Sequence, residues 1–263
     1  MCPGQNSDLR GTQSRFTTTR WSVILASVNA QTGDQRAADA LAQLCRIYWR
    51  PIFAFISRRV PSQQDAEDLT QDFFLKVLSG DLLRRADPER GRFRSLMLKA
   101  VKDFLNDARD RTRSRRRGGD AKFISWDEWM AEAPSHLMLP IAAENSWPAE
   151  KVFDVRWAAT VAEQALRRLQ EECEEHKRPR VFDVLSRVLT ADRQDVAYEP
   201  LARELGVKAA DVKRLLHRLR ERYRELLRAE IAETVADPAD VDEEVRYLVA
   251  ALSAGMEAAG KKA

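Results

Sequence analysis

The 263-residue chain is poor in cysteine and histidine, with three of each. Cys2, Cys45 and Cys173 stand far apart, with no CxxC spacing and no paired histidines. A disulfide framework or zinc finger is therefore not expected, and reduced thiols fit a cytoplasmic protein. No metal site and no cofactor are expected either. His136, His176 and His217 are scattered, and glycine-rich phosphate loops, HExxH and GxSxG are all missing, so the chain is not expected to be an enzyme. Apolar runs are short as well. None approaches the roughly 20 residues of a membrane span, and the N-terminus lacks the apolar core of a signal peptide, so no membrane partner is expected. Alternating apolar and polar stretches of useful length are lacking, as is any repeat of 20–50 residues. That leaves an all-α fold.

What the chain has in abundance is charge, at 32% of residues against the usual quarter. Lys and Arg outnumber Asp and Glu only 44 to 41, so the total says little and the distribution says more. Residues 84–117 hold thirteen basic and five acidic side chains, a net of +8. Residues 208–228 hold eight and three, a net of +5, whereas 229–247 hold one and seven, a net of −6. One such run alone is as well explained by a solvated helix face. Two cationic stretches with an acidic tail fit a polyanion held at two places. The tail beside the second cationic stretch is expected to shield it.

Helical periodicity begins at Trp21, Ile24, Leu25 and Val28, after a polar start expected to be disordered over 1–15. It resumes at Leu41, Leu44, Ile47 and Tyr48 and leads into Phe53, Phe55 and Ile56, with Pro51 expected to kink or restart the segment. Ser62 then stands as an N-cap for an amphipathic helix whose apolar stripe is Ala66, Leu69, Phe73, Val77 and Leu78. Asp65, Asp68 and Asp72 lie on another, exposed face, beside the amide of Gln71. Pro88 and Gly91 mark a turn before a basic helix starting at Phe93. One surface can thus dock a basic protein while its neighbour holds DNA. Arg92, Arg94, Lys99 and Lys102, with nearby aromatics, suit melted or single-stranded DNA, although Phe93 and Phe104 fit a core equally well. Residues 120–150, with Trp126, Trp129 and Trp147 among prolines, show no period and are expected to be a linker.

A second constellation lies at 198–228. Pro200 fits the first turn of a short helix, Leu201, Ala202 and Leu205 face inward, and Gly206 supplies a left-handed turn. Val212, Leu215, Leu216 and Leu219 form the buried side of a second helix. Lys213, Arg214, His217, Arg218 and Arg220 are expected on its other side. This is the build of a helix-turn-helix whose second helix enters the major groove.

Taken together, these segments resemble the sigma factors of bacterial RNA polymerase. Residues 65–78 resemble the part of region 2 that grips the clamp of the polymerase largest subunit. Gly91, Arg92, Phe93 and Arg94 with the basic helix resemble the parts that melt and read the minus-ten element, and 198–228 resemble region 4, which reads the minus-thirty-five element and touches the polymerase flap. With two regions and no room for a third, the chain is similar to the extracytoplasmic-function group. Thr19, Arg20, Trp21 and Ser22, with residues 232–238, resemble a branch carrying a C-terminal extension.

The resemblance implies two helical modules: region 2 over 16–119 and region 4 over 151–237, joined by the linker and followed by an acidic extension over 238–263. It implies core-polymerase contacts at Asp65, Asp68, Gln71 and Asp72 and minus-ten contacts at Arg92, Arg94, Lys99 and Lys102. Minus-thirty-five contacts fall at Lys213, Arg214, His217, Arg218 and Arg220. The implied partners are core RNA polymerase, promoter DNA and an anti-sigma protein, for a chain that is monomeric when free. Lys208 departs from the pattern, standing where a capping Ser or Thr is usual, and Asp103 replaces the usual Asn. The competing reading is a stand-alone helix-turn-helix regulator that does not bind core polymerase, which would leave the acidic helix unexplained.

Overall fold

The computed structural model describes residues 35–78, 92–114, 147–235 and 237–260, with side chains over 45–77, 92–108, 147–235 and 237–254. The polar start, the Trp21 repeat, the turn at Pro88 and Gly91, and the linker tryptophans Trp126 and Trp129 lie outside these residues. Among the described residues all regular structure is helical, as the missing strand pattern predicts. No helix there is long and apolar enough to cross a membrane.

Helix α1, Gln35–Ser57, buries Ile47, Tyr48, Ile52, Phe55 and Ile56 completely. Pro51 neither ends nor restarts it; the helix runs through the proline, where only one backbone hydrogen bond is forfeited. Helix α2, Gln63–Leu78, starts on Ser62 as the sequence predicts. The Ser62 hydroxyl oxygen accepts from the Asp65 backbone N–H at 3.0 Å and donates to the Asp65 carboxylate at 2.7 Å. Ala66, Phe73 and Val77 point inward. Helix α3, Phe93–Ser114, packs Met97, Val101, Phe104 and Leu105 against them. Phe93 and Phe104 are 1% and 6% exposed, so both belong to the core and neither is free to stack on a base.

Helix α4, Ala149–Glu175, is the longest described element and serves two cores. Its first half sets Phe153, Trp157 and Val161 into the cluster built by α1, α2 and α3. Its second half sets Ala165 and Leu169 against α5 (Pro179–Leu185), α6 (Tyr198–Leu205) and α7 (Ala209–Ala232). The end of α7 returns to the first cluster through Ile231, and α8, Val241–Gly260, adds Val241 and Leu248 to it. The two cores therefore divide neither at residue 150 nor at residue 237. Half of the helix assigned to the second module, and the extension after it, pack with the first.

Candidate nucleic-acid and protein interface

The face of α2 turned from the core carries Asp65, Asp68 and Asp72, all exposed, with Gln71 half-buried between them. Leu75 is 48% exposed in the same row, three residues beyond Asp72. Leu75 escaped the sequence reading because it sits beside the apolar stripe. Its helical phase, seven residues after Asp68, was the available signal.

The four cations predicted at the start of α3 do not form one open patch. Lys99 is exposed. Lys102 lies 3.0 Å from Glu150, whose carboxyl is held below its ordinary range by the Lys102 hydrogen bond. Arg92 pairs with Glu243 at 2.7 Å and with Glu244 at 2.9 Å. Arg94 is 7% exposed; its Nε donates to Glu244 at 2.9 Å and its Nη1 to Asp154 at 2.7 Å. The Tyr247 ring lies 3.9 Å from the Arg94 guanidinium and the Trp157 ring 5.3 Å. Burial pushes the Tyr247 phenol up to about 12. Arg92, Arg94 and Lys102, expected to face DNA, thus face acids of α4 and α8. Glu243, Glu244 and Asp154 were missed because nothing in local spacing links them to residues more than fifty positions away.

The second constellation has the predicted build. Gly206 ends α6 with φ of +69°, in the left-handed region, and its N–H bonds back to the α6 carbonyls. Val207 N–H reaches Ala202 O at 3.0 Å, closing the turn. Helix α7 begins after Lys208, whose side chain makes no cap, as expected. The first-turn acid Asp211 compensates by accepting from the Lys208 backbone, and its carboxyl is lowered chiefly by the hydrogen bond from Arg214. Lys213, Arg214, His217 and Arg218 are exposed on the outer side.

Arg220 is not. Its Nε donates to Leu189 O at 2.9 Å, and its Nη2 donates to Val188 O at 2.9 Å and Ala191 O at 2.6 Å. The side chain ties α7 to the turn that follows α5, because a guanidinium fork can satisfy several helix-end carbonyls at once. It is a structural tie rather than an open DNA contact. Beside it, a cleft of about 470 Å³ is lined by Arg193, Tyr198, Lys213, His217 and Arg220. Lys213 Nζ sits 4.9 Å from the Tyr198 ring centre. Arg193 is a cation the sequence reading missed, since it lies in a loop with no period.

The tail acids Glu243 and Glu244 meet Arg92 and Arg94, and the remaining pairs fall on Arg168 and Arg228 rather than on Lys213, Arg214, His217 or Arg218. Glu230, now part of α7, pairs with Arg168 at 2.6 Å, and Asp242 pairs with Arg228. Among the described residues no cluster of His, Cys, Asp and Glu could hold a metal ion.

Comparison with known proteins bears on this geometry. A family model described as Sigma-70 region 2 matches residues 44–118, which span the acidic face of α2 and the cations of α3. The chain is also 28% identical over 204 residues to the ECF RNA polymerase sigma factor SigE of Mycolicibacterium smegmatis, covering 77% of this chain and 67% of that protein. No solved structure matches.

Proposed function

We propose that the chain is an RNA polymerase sigma factor of the extracytoplasmic-function group, as its match to Sigma-70 region 2 and its similarity to such a factor support, and that it binds core polymerase through α2 and directs promoter-specific initiation. The observation that carries this reading is the acidic, amide-bearing and partly apolar face of α2: Asp65, Asp68, Gln71, Asp72 and Leu75. Its occupant would be the largest-subunit clamp. Carboxylates around an exposed Leu suit a basic helical surface with an apolar centre.

Helix α7 reads the minus-thirty-five element. Lys213 and Arg214 lie in its first two turns, the part a helix-turn-helix aims at base edges, and His217 and Arg218 follow within reach of the backbone. Arg193 adds a phosphate contact at the cleft. Lys99 and the basic run after it serve the minus-ten element. The factor catalyses nothing itself, since the polymerase supplies the chemistry, and it acts in the cytoplasm where the polymerase is. The polymerase flap, or an anti-sigma protein, would meet the second module.

The test is transcription in vitro with sigma-free core polymerase and fragmented genomic DNA, with transcript starts mapped. Discrete new starts are expected, and they disappear in the Asp68→Ala, Gln71→Ala variant although its helix content is unchanged. Absence of both starts and core binding overturns the reading in favour of a stand-alone regulator.

A further inference from the structure

We infer that α8 is an intramolecular occupant of the minus-ten cation site, competing with DNA for Arg92 and Arg94 and holding the free protein closed. The inference rests on the sigma-factor reading and on the minus-ten role that the family resemblance implies for those two arginines, and it adds what regulates them.

The contact is built like a ligand in a site. Glu244 is 1% exposed and lies against both guanidinium groups, at 2.9 Å from Arg94 Nε and 2.9 Å from Arg92 Nη1. Glu243 caps Arg92 from the solvent side at 2.7 Å, and that hydrogen bond holds its carboxyl below its ordinary range. A pair of carboxylates presents guanidinium groups with the planar acceptor oxygens that a phosphate presents, so the two occupants exclude one another. Tyr247 covers the Arg94 guanidinium at 3.9 Å, in the position a stacked base would take. Acid, acid and aromatic ring thus stand on one helix at positions 243, 244 and 247, matching the phosphate and base groups of a nucleic-acid strand.

The occupant is tethered. Only the segment with the Pro238–Asp240 turn separates α8 from α7, which keeps its effective concentration high without any partner. The second anchor, Arg228 to Asp242, joins the same helix to the end of the recognition helix. Releasing α8 would therefore uncover the region 2 cations and free the end of α7 in one step. If the site is open for about a tenth of the time, the apparent affinity for DNA falls about tenfold, because only the open fraction binds.

The experiment measures binding of a labelled mixed-sequence single-stranded oligonucleotide to the free protein at one fixed low salt concentration. Three full-length forms are compared: the natural chain, the Glu243→Lys variant, and the Glu243→Gln variant, which removes the acid without adding a cation. Glu243 is 63% exposed, so its replacement leaves the core intact. Both altered forms should bind about tenfold more tightly than the natural chain. Amide hydrogen exchange on the natural chain supplies a readout that needs no variant: saturating oligonucleotide should release protection across α8. Equal or weaker binding by either variant with unchanged helix content, or α8 protection that persists under saturating DNA, overturns the inference and leaves α8 as a packing element. Promoter starts with core polymerase are scored separately. Their absence in every form defeats the sigma reading, whereas starts from the natural chain without tighter binding by the variants defeat only the latch.

Discussion

Arg220 shows how one side chain can look functional in sequence and be structural in place. It continues the cationic side of α7, yet its guanidinium is spent on three carbonyls of the turn that follows α5. Arg220→Ala leaves those acceptors without a donor in a half-buried setting, which costs about 1–3 kcal/mol. Urea unfolding should report that loss, and Arg220→Lys should recover little of it, because an ammonium cannot reproduce the fork. Arg218→Ala, at an exposed position, should move stability by no more than about 0.5 kcal/mol while weakening DNA binding. A different residue-scale outcome is expected at Cys45. It is 5% exposed, and burial pushes its thiol up to about 12. At pH 8 almost none of it is thiolate. Mass spectrometry after iodoacetamide should find Cys45 unmodified in the native protein and modified once urea is added.

At the scale of elements, the turn between α6 and α7 sets the angle at which α7 is presented. An added Cβ at Gly206 would meet nothing within 4 Å, so the whole cost of Gly206→Ala is conformational. At φ of +69° that cost is about 1 kcal/mol, and Asn should cost less because it tolerates the left-handed region. Lys208→Ser should act in the opposite direction. It would give α7 the side-chain cap it lacks and stabilise the protein by about 1 kcal/mol. Thermal melts of the three variants test the set: a neutral Gly206→Ala would mean that the turn adopts another conformation.

This is also the scale at which the sequence was most legible. Ser62, Gly206 and the stripes of α2, α3 and α7 announce themselves because capping, left-handed turns and 3.6-residue periodicity act within a few residues. Pro51 does not restart the helix, because the rest of α1 is buried deeply enough to carry a proline in its interior. Ile52, Phe55 and Ile56 beyond it are all fully buried, and each contributes about 1.5–3 kcal/mol.

The whole molecule depends on pairings that no local pattern encodes. Arg94 and Glu244 lie 150 positions apart in the chain, and the first half of α4 reads as an ordinary amphipathic helix whose partner is unspecified. In the fold that helix is the common beam of two cores. Phe153 and Trp157 are fully buried in one, and Ala165 and Leu169 are buried in the other, further along the same element. Leu227 of α7 touches both clusters. A helix cannot melt over one half without exposing backbone and apolar surface at the boundary, so damage in either core should reach the other. Leu185 is fully buried in the second core, and Leu185→Ala should cost about 2–5 kcal/mol. The expected calorimetric result is one transition that moves down as a unit, with calorimetric and van't Hoff enthalpies equal. Hydrogen exchange should then show α1, in the first core, losing protection together with α6. If the transition splits instead, with α1 amides still protected while α6 exchanges, the two halves fold independently and α4 is a hinge rather than a beam. Release of α8 would then free the first core without loosening the second.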